Sequence, residues 1–314
     1  MSPIHLLILL ILLLPPLAAT EYSPPWQDNI PADVRENALL PDQVLTEEPA
    51  HWRPVLEALF RPQVAHCRSA REAVLHIASR FTPITGVYYS TARRKHDMNA
   101  LEALAEKKVS CTGQSILLVC ALRSVGIPAR AVGILTWNHI PGNHTWAEAW
   151  FEGEWHMIEP YEKNFNTPWV MEYIGMLNPR HPYQRIMAAW PAGKENFHPV
   201  PLAPGSRNIP AQDVTERYMA LSSAWYASQG NAPEYQKLYI DRTPRSNTPE
   251  EILLENAEGT ILSRAELPTS RHDMRYRARL LLPRKGTHFL RHSGTATRIP
   301  IQATPPPVQL LDLH

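Results

Sequence analysis

The stretch VSCTGQSILLVCALRSVGIPAR, residues 109–130, carries the pattern that decides the fold. Its residues 116–122 are apolar on nearly every side of a helix, which predicts a helix that is buried all round. Gly126 is a typical helix stop, and a proline that cannot continue the helix follows two residues later. The organising element of the predicted fold is therefore a buried helix that begins near Cys111.

A cysteine at the start of a buried helix has two chemical uses. The unpaired backbone N–H groups and the positive end of the helix dipole favour a thiolate at Cys111, and the thiolate is the form of cysteine that attacks. The same N–H groups can receive the negative oxygen that forms during acyl transfer. Cys111 is therefore the predicted nucleophile, whereas Cys120, among apolar residues in the middle of the helix, is predicted to belong to the core.

The residues after the helix predict an antiparallel hairpin that carries a base and an acid. Three strands are predicted, at residues 129–137, 145–151 and 154–159. If residues 152–153 form a two-residue turn, Phe151 faces Glu154, and His144 and Glu159 become diagonal neighbours on one face. Such neighbours lie ~7–8 Å apart at the backbone, a gap that these two side chains can close. The hairpin thus predicts His144 as the base and Glu159 as the carboxylate that orients it.

Three blocks in this region resemble the transglutaminase-like superfamily: VSCTG at 109–113, GIPAR at 126–130 and GNHTWAE at 142–148. The blocks occur in the family's order and at family-like spacing, within a resemblance that covers about residues 70–165. More narrowly, the chain resembles the exported bacterial transglutaminase-like proteins. The resemblance implies an α+β, papain-like core in which a nucleophile helix packs on an antiparallel sheet. It also implies a Cys-His-Asp/Glu triad, which falls on Cys111, His144 and Glu159.

The acid of the implied triad has two alternatives in this sequence. Many family members have Asp-Pro where this chain has Glu159 followed by Pro160. Glu148 shares the predicted face of His144 but lies farther along the strand, and Glu162 falls just beyond the last strand. Both therefore stay open as substitutes for Glu159.

The expected function is thiol-dependent acyl transfer on peptide or isopeptide amide bonds, with hydrolysis favoured. The resemblance leaves two alternatives: a protein-glutamine gamma-glutamyltransferase that cross-links amides, and a catalytically inactive binding or scaffold module of the cell envelope. The expected partner is a protein or peptide substrate. No cofactor or metal is expected, because the chain has no His-Glu-x-x-His motif and no paired-cysteine spacing. His139 with His144 is the pair that would suggest a metal.

The charge balance argues against nucleic acid as the main partner. The chain has 31 Lys and Arg against 30 Asp and Glu among its 314 residues, which gives a formal net charge of +1. A protein that binds nucleic acid through its overall charge needs a basic excess, and this chain has almost none.

The N-terminus predicts export. Residues 4–14 are almost wholly apolar, and a short segment with Ala18 and Ala19 then leads into polar sequence. This core is shorter than the ~20 residues needed to span a bilayer, so residues 1–20 are interpreted as a signal peptide and the protein as periplasmic or extracellular. An uncleaved anchor is the alternative, and a membrane is an expected partner only in that case.

The predicted domain organisation has four parts. The signal peptide (1–20) is followed by a Pro-rich N-terminal extension (21–65), a transglutaminase-like catalytic domain (66–240) and a β-rich C-terminal region (250–314). The 31 prolines of the chain indicate much extended, non-repetitive structure between the elements. The C-terminal region is predicted either as a small β-unit or as extra strands on the main body.

Overall fold

The computed structural model describes residues 24–27, 29–137, 142–178, 180–197, 207–228, 235–242, 246–267, 269, 278–303 and 308–313. The predicted signal peptide lies outside these residues. The chain divides into two compact units. The first comprises Met1–Thr136, Asn143–Val170 and Pro179–Tyr218, and the second comprises Trp137–Gly142, Met171–Asn178 and Met219–His314.

Among the described residues, six helices precede the main sheet of the first unit: α1 (Ala32–Ala38), α2 (Arg53–Val64), α3 (Ala70–Ser79), α4 (Phe81–Thr85), α5 (Ala100–Glu106) and α6 (Cys111–Ser124). Two further helices follow the hairpin, α7 (Pro168–Ile174) and α8 (Thr215–Ser228). A short 3₁₀ turn occupies Pro182–Gln184. Asn99 and Glu102 form the capping box that their spacing indicates at the start of α5.

The main sheet is antiparallel and has six strands, in the order β5-β4-β3-β6-β8-β7. Its members are β3 (Ala129–Ile134), β4 (His144–Phe151), β5 (Glu154–Ile158), β6 (Ile186–Ala189), β7 (Glu195–Phe197) and β8 (Ile209–Asp213). A separate parallel pair joins β1 (Tyr88–Tyr89) to β2 (Lys108–Val109), immediately before α6.

Helix α6 is the centre of the core, as its all-round apolar pattern predicts. All its residues after Cys111 are buried, and the helix packs against β3 and β4. Ala147, Ala149 and Phe151 of β4 belong to the same apolar cluster as the leucines of α6. The alternate residues of β4, which include His144, point to the other face of the sheet. The α+β fold with a cysteine-bearing helix on an antiparallel sheet is thus confirmed.

The hairpin between β4 and β5 has the predicted register. Phe151 pairs with Glu154, so the loop consists of Glu152 and Gly153 alone. Both loop residues have positive φ angles, 55° and 84°, which is the signature of a type I′ turn. Strand β3 is shorter than predicted and ends at Ile134, because Ile134 pairs with the first residue of β4 and finds no further partner on that strand.

The segment predicted as a Pro-rich extension contributes to the core of the first unit. It contains two helices, α1 and α2. Trp52, Leu56 and Phe60 are almost completely buried and lie in the same cluster as α6. The periodicity is hard to see in the sequence because α2 has prolines at both ends, which interrupt an otherwise helical pattern.

The second unit contains two sheets. One has the order β11-β10-β13-β14 and the other β12-β9-β15. Their strands are β9 (Tyr235–Arg242), β10 (Glu250–Asn256), β11 (Ile261–Leu267), β12 (Ala278–Pro283), β13 (His288–His292), β14 (Ile299–Ile301) and β15 (Val308–Leu313). The β-rich region predicted over 250–314 therefore shares a sheet with β9, which precedes it. Across the residues that the structure describes, no helix has the length and apolar character needed to cross a membrane.

Candidate active site

Cys111 is the first residue of α6 and is partly exposed to solvent. Ser110 caps the helix, because its Oγ accepts a hydrogen bond from the backbone N–H of Gly113 at 2.9 Å. The same hydroxyl donates to the backbone carbonyl of His96. Cys67, Cys111 and Cys120 form no disulfide with one another. The local sequence thus holds a thiol at a capped helix start, where solvent can reach it.

Two hydroxyl side chains connect the start of α6 to the start of β4. Thr112 Oγ1 lies 3.1 Å from Thr145 Oγ1. Ser115 Oγ lies 2.9 Å from the backbone carbonyl oxygens of both Cys111 and Thr145. Because Thr145 follows His144 directly, these contacts fix the distance between the backbones that carry the thiol and the imidazole.

His144 and Glu159 form a short, buried hydrogen bond. His144 Nε2 lies 2.6 Å from Glu159 Oε1, and the two residues are 3% and 9% exposed. Glu159 lies one residue beyond the end of β5, where the diagonal-neighbour argument places it. A carboxylate is an acceptor, so the ring proton lies on Nε2 and Nδ1 is left for the thiol.

The environment of His144 favours its protonated form. Burial acts to lower the pKa of His144, because it disfavours a charged ring. The negative charge of Glu159 and hydrogen bonds to Cys111 and Glu159 act in the opposite direction and raise the pKa of His144 to about 9. An imidazolium beside Cys111 is therefore stable at neutral pH, as a thiolate–imidazolium pair requires.

Two tryptophan rings lie against His144. The Trp146 ring stacks on the imidazole with centroids 5.8 Å apart and an interplanar angle of 29°. The Trp169 ring, on α7, is tilted against the imidazole at 4.8 Å. Sequence reasoning missed Trp169, because residues 162–212 show no periodicity that would orient a side chain. Trp150 of β4 and Trp155 of β5 do not take part in the contact with His144; they contact each other and pack with Trp190 in a separate cluster.

Glu148, one alternative acid, takes part in a different network. It is fully buried, and its Oε2 accepts from Arg130 Nε at 2.8 Å. Its Oε1 accepts from Arg217 and from the hydroxyl of Tyr218. The carboxylate of Glu148 is thus engaged by two guanidinium groups and a phenol, and the geometry does not favour it as the partner of His144.

Glu162, the other alternative, lies next to Glu159 in the turn after β5. Its backbone N–H donates to the carbonyl of Glu159 at 3.4 Å. Burial, followed by the negative charge of Glu159, raises the pKa of Glu162. The Nε2 of His144 is already bound to Glu159, so the geometry favours Glu159 over Glu162 as the orienting acid.

Tyr161 fixes the turn that presents Glu159. It has an unusual positive φ of 76°, and its N–H donates to the carbonyl of Ala78 at 2.8 Å. Its hydroxyl is bound by the side chain of Gln114, one turn along α6 from Cys111. The loop after Glu159 is therefore fastened both to α3 and to the helix of the thiol. No local signal in the sequence predicts this contact.

Among the described residues, no group of three or more His, Cys, Asp or Glu side chains is arranged to hold a metal ion. His139, which the sequence pairs with His144 as a metal candidate, lies outside the described residues.

The family model of the transglutaminase-like superfamily matches residues 57–160. The matched segment begins within α2 and ends just after Glu159, so it includes Cys111, His144 and Glu159. The resemblance to this superfamily that the three sequence blocks indicate is confirmed for this segment. No curated protein matches the sequence.

Many solved structures resemble part of the chain, among them the following three. The first, from Cytophaga hutchinsonii and assigned as a cysteine protease, is 20% identical, with a TM-score of 0.35, and the match covers 42% of this chain and 43% of that chain. The periplasmic domain of TgpA from Pseudomonas aeruginosa, bound to ethylmercury, is 20% identical with a TM-score of 0.30 and coverages of 36% and 45%. Red sea bream transglutaminase is 12% identical with a TM-score of 0.32 and coverages of 75% and 54%. This chain thus spans about half the length of the structures that it matches.

Proposed function

We propose that this chain, which carries a transglutaminase-like core over residues 57–160, is a thiol-dependent acyl-transfer enzyme acting on peptide or isopeptide amide bonds. The observation that carries the proposal is the interaction of His144 with both Cys111 and Glu159. Such chemistry needs a nucleophile, a base and an orienting acid, and the proposal assigns these roles to Cys111, His144 and Glu159.

The proposed reaction has two halves. The Cys111 thiolate attacks the amide carbonyl carbon, the C–N bond breaks, and the imidazolium of His144 gives its proton to the departing amine. A thioester now links the acyl group to the Cys111 sulfur. Water then attacks the thioester, His144 takes a proton from that water, and the acid product leaves with the thiolate restored.

Two features of the site would lower the barriers of these steps. The carboxylate of Glu159 holds the imidazole in one tautomer and stabilises its protonated form between the two halves. Backbone N–H groups at a helix start can receive the carbonyl oxygen as it becomes negative, and α6 begins at Cys111 itself. Both features come from side chains and backbone groups of the chain itself.

Hydrolysis is the proposed outcome because Cys111 is partly exposed, so water can reach an acyl group attached to it. A lysine amine in place of water would give amide cross-linking instead. The experiment is to incubate the full chain with peptide libraries, with and without a primary amine, and to identify the products by mass spectrometry. Cleaved peptides in both conditions support hydrolysis, and peptides that carry the amine support transfer.

A scaffold that has lost activity is the competing function for this fold. Iodoacetamide near neutral pH distinguishes the two, because it modifies thiolates faster than thiols. Fast and selective modification of Cys111 supports an enzyme. Modification of Cys111 no faster than that of an ordinary cysteine, together with no turnover of any peptide, would support the scaffold.

The proposed site of action is the periplasm or the extracellular space. The support for this compartment is the apolar core of residues 4–14 and the small residues that follow it. The proposed partner is a protein or peptide substrate in that compartment.

A further inference from the structure

The face of β4 that bears His144 also carries two buried residues, Trp146 and Glu148. Trp146 is completely buried, and its indole stacks on the imidazole of His144. Glu148 comes next on the same face, because side chains alternate along a strand. The imidazole of His144 thus has the buried indole of Trp146 on one side.

Tyr218, on α8, connects these two residues. Its hydroxyl accepts a hydrogen bond from Trp146 Nε1 at 2.6 Å and donates one to Glu148 Oε1 at 2.7 Å. Its side chain is completely buried, and burial raises the pKa of Tyr218 to about 12. The hydroxyl therefore stays protonated. It donates its proton to the carboxylate of Glu148 and accepts a hydrogen bond from the indole N–H of Trp146.

Two arginines bind the carboxylate of Glu148. Arg130, which is also fully buried, binds one carboxylate oxygen, and Arg217 binds the other. A buried carboxylate with two such partners stays ionised and in place. The indole N–H of Trp146 is consequently bound, through one hydroxyl, to a fixed negative charge.

We propose that Tyr218 is a positioning residue of the active site, which fixes and polarises the Trp146 indole against His144. This inference rests on the proposed function, in which His144 alternates between its neutral and protonated forms. A hydrogen bond from Nε1–H to an acceptor that is itself bound to a carboxylate makes the indole ring more electron-rich. An electron-rich ring attracts a neighbouring cation more strongly, so the arrangement stabilises the imidazolium of His144 and holds its ring orientation.

The titratable groups that face His144 come from two other elements. Cys111 faces it from the start of α6, and Glu159 faces it from the end of β5, with Glu162 next to Glu159. Tyr218 acts on His144 through Trp146 and not by direct charge. Its removal should therefore shift the titration of His144 while leaving the strong interaction with Glu159 in place.

The experiment compares Tyr218→Phe with Tyr239→Phe in the full chain. Tyr239 is a matched control in the second unit, because its hydroxyl also donates to a buried carboxylate, Glu172 Oε2, at 2.8 Å. For Tyr218→Phe we expect kcat to fall about tenfold with KM nearly unchanged. Misplacement of a catalytic group by ~1 Å can lower the rate 10²-fold, and the loss should be smaller here because packing limits the movement of Trp146. The limb of the pH profile that reports loss of the imidazolium should move to lower pH. Tyr239→Phe should change neither quantity.

A second readout does not depend on the substrate. The rate of Cys111 alkylation by iodoacetamide is measured against pH. For Tyr218→Phe this rate should rise at higher pH than in the wild type, because a less stable imidazolium at His144 stabilises the Cys111 thiolate less. This readout separates failure of the proposed function (no turnover by the wild type) from failure of the positioning role.

If circular dichroism shows that Tyr218→Phe does not fold, Trp146→Phe tests the same hydrogen-bonded chain, since it keeps a ring but lacks the N–H donor. Alkylation and pH–rate profiles of the folded variant that coincide with those of the wild type and Tyr239→Phe would overturn the proposal.

Discussion

The protonation state of His144 depends on a competition between burial and charge. A buried imidazole without a partner prefers to be neutral, but the contact with Glu159 and the interaction with Cys111 outweigh burial and raise the pKa of His144 to about 9. The imidazolium therefore persists below about pH 9 and is lost as the pH rises through that value. A reaction that needs His144 to protonate a leaving amine should lose rate over the same range.

Glu159→Gln tests the orienting acid. Without the carboxylate charge, burial dominates, so the alkaline limb of the pH–rate profile should move to lower pH. We expect kcat to fall by orders of magnitude with substrate binding nearly unchanged, as loss of the orienting carboxylate costs ~10⁴ in a serine triad. The measurement is kcat across pH, with circular dichroism to check folding. Glu162→Gln is the matched control, and an inactive Glu162→Gln beside an active Glu159→Gln would move the acid to Glu162.

At the scale of secondary-structure elements, Glu148 joins three of them. Its carboxylate binds Arg130 of β3 and both Arg217 and Tyr218 of α8, and its own backbone belongs to β4. The network thus joins β3 and β4 to the first turn of α8. Loss of the Glu148 carboxylate would leave the buried guanidinium of Arg130 without its counterion.

Glu148→Gln should therefore have its main effect on the free energy of unfolding and a smaller effect on kcat. Removal of one member of a buried ion pair costs ~3–5 kcal/mol in free energy of unfolding, because the remaining charge loses its counterion. Urea unfolding followed by circular dichroism measures the loss. The control is Glu106→Gln, whose partner Arg94 is more than half exposed, and this substitution should cost less than ~1 kcal/mol. Equal stabilities of the two variants would contradict the importance of the Glu148 network.

The elements that the sequence predicts best are those with strong local patterns. The apolar run of α6 and the two-residue turn at 152–153 lead directly to the helix on the sheet and to the register that brings Glu159 near His144. Trp169 and Tyr218 could not be predicted, because each reaches the site from a segment distant in sequence. Periodicity shows which face of a strand is covered, but it does not show which distant segment covers it.

In the whole molecule, too, local sequence patterns do not show which distant segments meet, and the second unit is an example. The sequence predicts several strands there but not their arrangement. Strand β15 pairs in parallel with β9, which lies about seventy residues earlier in the chain. A long-range parallel pairing leaves no turn signal between the two strands, so local patterns do not reveal it.

The predicted signal peptide would direct the whole protein out of the cytoplasm and then be removed. Mass spectrometry of the protein from its natural host should find a mature N-terminus within a few residues of Thr20, because the apolar core ends shortly before two small residues. Full-length protein in a membrane fraction would indicate an uncleaved anchor. Full-length protein in a soluble cytoplasmic fraction would contradict export.

The proposed mechanism depends on Cys111 as the nucleophile, and a turnover assay of Cys111→Ala tests this role. The substrate is an amide that the wild type cleaves, and Cys120→Ala is the matched control, since burial raises the pKa of the Cys120 thiol and makes it a poor nucleophile. We predict that Cys111→Ala folds normally and shows no turnover, whereas Cys120→Ala keeps its activity and loses only stability. Full activity of a folded Cys111→Ala protein on that substrate would contradict the account.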